Sequence, residues 1–316
     1  MYYLKKLTLL ALLQPLSAYG KSLYIDKSCK GITGFDVYLQ EAQTNAKRSV
    51  ERMDSKTDTD FEAIFKRIFK TEKGSDGGKY VRGTLDGIIN LKPTDDLKGS
   101  DIRLFCDNDA RWVKKESGGF YDPINDMVHD TLVCQSDKWG RCYQQKAKDP
   151  PTDPQSPRYG HNPNRYVISI CNAVFDNEAS KKGYPLYLNE KFTRGNLGTW
   201  SIELLALFAS RTILHELIHA ISNGEIIDQT AGGGAYLWKN IIVKDAESSR
   251  LNADNYVYLS IWATLADLGY TLERLTGDLT EDDKKRIEDD AKNGKLKAYK
   301  DITKRGLLSS EFYVST

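Results

Sequence analysis

The sequence predicts an α+β fold, mostly helical with a small sheet. Three observations carry that expectation. Apolar residues recur at helical spacing over 34–53 and 59–71. Short apolar runs at 79–91, 101–106 and 165–171 read as strands. A run from 201 to 222 is apolar on nearly every side, which places a helix in the middle of the molecule.

Composition sets the outer limits. The chain has 316 residues, 40% of them hydrophobic and 28% charged, proportions that exclude a collagen, a disordered tail or a bundle of membrane spans. Its 45 basic and 44 acidic residues nearly cancel, so no overall field draws nucleic acid or anionic lipid. The five tryptophans and eighteen tyrosines form no stacking platform for bases. Neither nucleic acid nor membrane is therefore an expected partner.

At the N-terminus, Lys5 and Lys6 precede an apolar stretch from Leu7 to Leu13 and then Ser17, Ala18 and Gly20. That is the layout of a secretory signal peptide over 1–20. A secreted, extracellular, monomeric protein is expected, with its main domain over 21–275 and a charged extension over 276–316. All five cysteines follow the leader, and export favours disulfides. Five is odd, so two pairs and one leftover thiol are the most that can form.

The elements follow in order. Phe35, Val37, Tyr38, Ala42, Ala46, Val50 and Met53 mark the first helix. Phe61, Ile64, Phe65, Ile68 and Phe69 lie on one stripe of the second. The stretch between the strands at 101–106 and 165–171 reads as irregular, and five of the nine prolines fall in 150–163, a loop or flap. Asn223-Gly224 stops the central helix. A last helix covers 251–268, with Tyr256, Leu259, Trp262, Ala263 and Ala266 inward. The final forty residues, rich in charge, read as a solvated helix and tail.

Chemistry concentrates on the central helix. Of four histidines, two stand in His215-Glu216-Leu217-Ile218-His219. Positions i and i+4 share a helix face, so both imidazoles can bind one zinc ion. Glu216 can then take a proton from a zinc-activated water. The other two, His129 and His161, lie in loop-like surroundings and read as surface or supporting residues. A catalytic zinc site needs a third protein ligand, and Glu225, Asp228, Asp245, Glu247 and Asp254 are the downstream candidates. A metzincin would have Gly at 222 and His at 225, where this chain has Ser222 and Glu225. A gluzincin would use a later Glu, such as Glu247.

Residues 211–262 resemble the aspzincin (deuterolysin-like) zinc endopeptidases. The matching pieces are His215-Glu216-Leu217-Ile218-His219-Ala220, Ile227-Asp228-Gln229, and Leu251-Asn252-Ala253-Asp254-Asn255-Tyr256. The resemblance implies a zincin-like metalloprotease domain, its small sheet above the catalytic helix, with Zn2+ held by His215, His219 and Asp228. It implies hydrolysis of peptide bonds in protein or peptide substrates, with Glu216 as the catalytic base. The family's tyrosine three residues after the aspartate is replaced by Ala231, and Tyr236, beyond a run of glycines, is the candidate to assist the scissile carbonyl. Ordinary packing is the competing role for Tyr236. The lysine-specific branch carries a Glu where this chain has Val257, which leaves Asp254 as the candidate to favour a basic side chain. Capping or hydrogen bonding is the competing role for Asp254. The alternative to an enzyme is a secreted, effector-like interaction protein that keeps the fold.

Overall fold

The computed structural model describes residues 20–136, 139–145, 164–181, 187, 205, 207–230 and 234–268, with 270–271, 281, 285, 289 and 299–300. The expectations for the leader, for 150–163 with His161, for residues 231–233 and for most of 276–316 lie outside these residues.

The described helices are α1 (Lys27–Lys30), α2 (Phe35–Asp54), α3 (Thr59–Phe69), α4 (Asp76–Ile89), α5 (Val133–Ser136), α6 (Asn172–Phe175), α7 (Glu178–Lys181), α8 (Ala209–Ile221), α9 (Trp238–Ile241), α10 (Ala246–Arg250) and α11 (Ala253–Asp267). The strands are β1 (Ser22–Ile25), β2 (Lys92–Thr94), β3 (Ile102–Phe105), β4 (Val113–Lys114), β5 (Phe120–Asp122), β6 (Met127–His129), β7 (Gly140–Gln144), β8 (Tyr166–Ile170), β9 (Tyr270–Thr271) and β10 (Tyr299–Lys300). The fold is α+β and mostly helical, with small sheets, as expected. No described helix is long and apolar enough to cross a membrane.

The main sheet has the order β2-β1-β3-β8-β7. Its first four strands run parallel, and β7 pairs antiparallel with β8, from Gly140 opposite Ile170 to Gln144 opposite Tyr166. A separate antiparallel sheet, β4-β5-β6, covers the far side. Helix α8 packs against α2, α4 and α11 on one side and against β7 and β8 on the other. That position explains its all-round apolarity: eleven of its thirteen residues are buried.

Local sequence accounts for the helix boundaries. Asp58 caps α3 by accepting from the Phe61 N–H at 3.0 Å, and Ser75 caps α4 through Gly78 N–H at 3.1 Å. Helix α8 stops where Asn223 and Gly224 turn left-handed, at φ 56° and 73°. It begins at Ala209, later than the apolar run suggested.

Two expectations are corrected. The segment 79–91 is not a strand; it forms the body of α4. Its glycines and β-branched residues resemble a strand locally, yet Val81, Leu85 and Ile88 recur at helical spacing and are fully buried. Burying that stripe outweighs the roughly 1 kcal/mol each glycine costs a helix. The stretch between 106 and 165 is not simply irregular either, since it holds β4, β5, β6, α5 and β7. Those strands are too short to show a period. A buried polar network ties them: Arg111 donates to Asp122 at 2.6 Å and to Ser169 at 2.5 Å, and Arg103 to Asn125 at 3.0 Å. Hydropathy cannot read such a core.

Two disulfides form, Cys29–Cys106 and Cys134–Cys171, and Cys142 keeps its thiol, in the two-plus-one arrangement the count allowed. The first ties α1 to the end of β3, and the second ties α5 to the end of β8. Removing either is expected to cost about 2–5 kcal/mol.

Gly87 lets α4 approach α8. A Cβ there would lie 2.5 Å from Cγ2 of Ile221. Gly87→Ala should gain up to about 1 kcal/mol in helix propensity but lose about 1–3 kcal/mol to overpacking, for a net loss of stability. In an Ile221→Ala background the overlap is gone, and the same substitution should become stabilising. Thermal unfolding of the four proteins in that cycle reads the change of sign.

Candidate metal centre

The site is built where α8 ends and the chain turns back. Arg211, His215 and His219 are spaced four apart on α8, so they share one face. After the left-handed turn, Ser222 Oγ accepts from the Ile226 N–H at 3.1 Å and pulls the chain under the helix. The backbone on both sides of Asp228 is then fastened to the start of α11. Ile227 N–H donates to Leu251 O at 3.0 Å, Ala253 N–H to Ile227 O at 3.2 Å, and Gln229 N–H to Asn252 Oδ1 at 2.9 Å. Asn252, fully buried, also donates to Ala235 O at 2.9 Å and to Asn255 Oδ1 at 2.7 Å.

These constraints bring three donor atoms together. His215 Nε2 and His219 Nε2 stand 3.1 Å apart, and Asp228 Oδ1 lies 3.0 Å from the first and 3.5 Å from the second. Ligands about 2.1 Å from a tetrahedral zinc ion stand about 3.4 Å from one another, so the spacing fits such an ion. His215 is buried and the other two are half-buried. The second ring nitrogen of each histidine has an acceptor: His219 Nδ1 donates to Ile226 O at 2.8 Å, and His215 Nδ1 faces Asp254 Oδ1 at 3.3 Å. A proton held at Nδ1 leaves both Nε2 lone pairs aimed at one point. Two imidazoles and a carboxylate can thus coordinate a divalent metal. Their chemistry suits zinc, whose common ligands are these types.

Electrostatics lead to the same reading. Burial alone would lower the His215 pKa, but the carboxylates of Asp228 and Asp254, with Glu216 nearby, outweigh it and lift the value to about 10. Burial would raise Asp228, and its contacts with His215 and His219 instead hold it well below the usual carboxylate range. In the metal-free protein a proton takes the place of a metal cation.

The other expected residues fall into place unevenly. Glu216 is buried and lines a cavity of about 480 Å³ together with His219 and Asp228. Tyr236 reaches the site: its hydroxyl donates to Asp228 Oδ2 at 2.7 Å and its ring lies 5.6 Å from that of His215. The adjoining Leu237 has φ 74°, a backbone state that costs a non-glycine residue about 1–3 kcal/mol. Asp254 does not face the opening. Its side chain has no exposure, and both its oxygens accept from Arg211, at 2.5 and 2.7 Å. The role that fits is hydrogen bonding behind His215, because a carboxylate with no exposure, held between Arg211 and His215, is out of reach of a substrate cation.

The remaining ligand candidates stand apart. Glu225 accepts from Tyr80 Oη at 2.9 Å, Asp245 caps α10 through Ser248 N–H at 2.7 Å, and Glu247 lies in the first turn of α10. His129 belongs to the far sheet, 5.3 Å from the Trp112 ring and 4.1 Å from that of Tyr143. Sequence reasoning missed Arg211 and the clamp at Asn252. The spacing of Arg211, four residues before His215, was the available signal for the first. Comparison of the chain with protein-family models, with curated proteins and with solved structures found no match.

Two outcomes follow from this geometry. Asp254→Asn should weaken metal binding by about 10- to 100-fold, the usual effect of losing the partner of a ligating histidine. Competitive chelator titration measures it, and an unchanged affinity would remove Asp254 from the site. The second concerns pH. A raised histidine pKa contributes stability that is complete below the ordinary value of 6.5 and fades as pH climbs toward about 10. Metal-free protein should therefore lose thermal stability across that range, while metal-loaded protein, with no proton to lose there, should not.

Proposed function

We propose that the chain is a secreted zinc-dependent endopeptidase of the aspzincin type, with a zincin-like domain over residues 21–275. His215, His219 and Asp228 would hold the ion and Glu216 would move the proton. The observation that carries this reading is the position of Glu216: it shares one cavity wall with His219 and Asp228, beside strand β7. A binding protein with the same triad would have no use for a buried carboxylate there.

Zinc supplies Lewis acidity to a water and to the scissile carbonyl oxygen. The rest is the work of the chain. Glu216 takes a proton from the attacking water and delivers it to the departing amine nitrogen. Its burial suits that task by shielding the transferred proton from bulk water. The hydroxyl of Tyr236, now donating to Asp228, orients that ligand and is placed to turn toward the developing oxyanion.

The sheet edge supports an extended peptide as substrate. One edge strand, β2, is blunted by Lys92 and Pro93. The other edge among the described strands, β7, has neither residue, spans five residues and lines the cavity. A peptide added along β7 would pass directly over Glu216.

Casein hydrolysis by the purified protein tests this function. Glu216→Gln should lower turnover by about 100-fold or more while leaving one zinc per chain. Equal turnover by the variant, or no turnover by the zinc-loaded wild type, would favour the interaction-protein reading.

A further inference from the structure

Substrate preference can be read from where the unpaired charges stand. A lysine-directed site needs a carboxylate in reach of the substrate. Asp254, the candidate, is fully buried and spends both oxygens on Arg211. The two carboxylates that do line the cavity, Glu216 and Asp228, belong to proton transfer and to the triad. A divalent cation at the triad balances that pair.

The cations nearby have no such balance. Arg141, exposed on the edge strand, lines the cavity, and its only described contact is with the ring of Tyr143, 5.2 Å away. Lys21 stands behind the lining, beside Tyr166. Its Nζ lies 5.0 Å from the ring of Tyr166, another lining residue, and donates to two neutral oxygens, Ala220 O at 2.6 Å and Asn223 Oδ1 at 2.7 Å. Neither cation forms an ion pair among the described residues, whereas Arg48, Arg52, Arg82, Arg111 and Arg211 all do. Burial lowers the pKa of Lys21 to about 8, a loss that the nearby charge of Asp101 offsets only in part. The lining around Arg141 also includes the Cys142 thiol, Gln144 and the glycines 140 and 224, none of which opposes an anion.

The geometry points to a cavity that receives a carboxylate side chain of the substrate, so that the site acts beside Asp or Glu and Arg141 sets that preference. This rests on the peptidase reading for the cleavage it describes, but the cavity's charge stands independently of it. An acidic side chain would meet Arg141 in the lining and the field of Lys21 behind Tyr166, while a lysine would meet two like charges.

Four matched peptides, differing only in Glu, Gln, Lys or Leu at the position flanking a cleavable bond, provide the test. Each is digested with the zinc-loaded wild type, and each is titrated calorimetrically into zinc-loaded Glu216→Gln, which reads binding without turnover. The Glu peptide should be cut and bound about tenfold better than the Lys peptide, and Arg141→Glu should reverse that order. Arg141 is exposed, and an unchanged melting temperature would show that its variant folds. Preferential binding of the Glu peptide without cleavage would leave this inference intact and remove the peptidase. Cleavage that favours Lys or Leu, or a ranking indifferent to Arg141→Glu, would overturn the inference and leave the peptidase. Neither binding nor cleavage of any peptide would remove both.

Discussion

Two imidazole nitrogens 3.1 Å apart, each with its lone pair forward, and a carboxylate oxygen within 3.5 Å of both cannot stay together without a positive charge between them. Much of the surrounding structure serves that constraint. Helix α8 must be rigid enough to hold its histidines in register, and it is clamped between three helices and the sheet. The turn after it must be tight, which the left-handed Asn223 and Gly224 provide. The returning chain must be fixed at Asp228, and backbone bonds to Leu251 and Asn252 fix it on both sides.

Behind the donor atoms stands a second layer that determines how firmly they are held. Arg211 grips Asp254, Asp254 faces His215, and the Ile226 carbonyl fixes His219. A guanidinium buried beside a carboxylate is costly unless they pair, and here Nη2 of Arg211 donates to both oxygens of Asp254. This pairing also changes the character of the site. The Asp254 carboxylate is turned to His215 and Arg211 and away from the cavity, whose lining holds one cation, Arg141.

The central features were legible in the sequence because they are local. An i, i+4 histidine pair inside an apolar run, and a helix stop followed by Asp228, need no knowledge of tertiary contacts. The long helices α2, α3 and α11 were legible for the same reason, as was one thiol left from five cysteines. What was hidden depends on distant partners. Helix α4 read as a strand in part because Gly87 serves contact with Ile221 of α8, which no local pattern displays. The strands β4 to β7 are short, and their small apolar cluster around Phe105, Trp112 and Met127 is tied together by buried Arg111, Asp122 and Arg103. Asp254 was visible as a residue, but its role turned on Arg211, forty-three residues earlier.

The central claim is that Asp228 completes a metal site with the two histidines. Zinc content per chain, measured on purified Asp228→Ala beside Glu225→Ala after equilibration against limiting free zinc, tests it most directly. The geometry predicts that Asp228→Ala loses its stoichiometric zinc, because two imidazoles alone hold the ion weakly, and that Glu225→Ala, whose carboxylate only accepts from Tyr80, keeps it. A full zinc ion retained by Asp228→Ala would contradict the account.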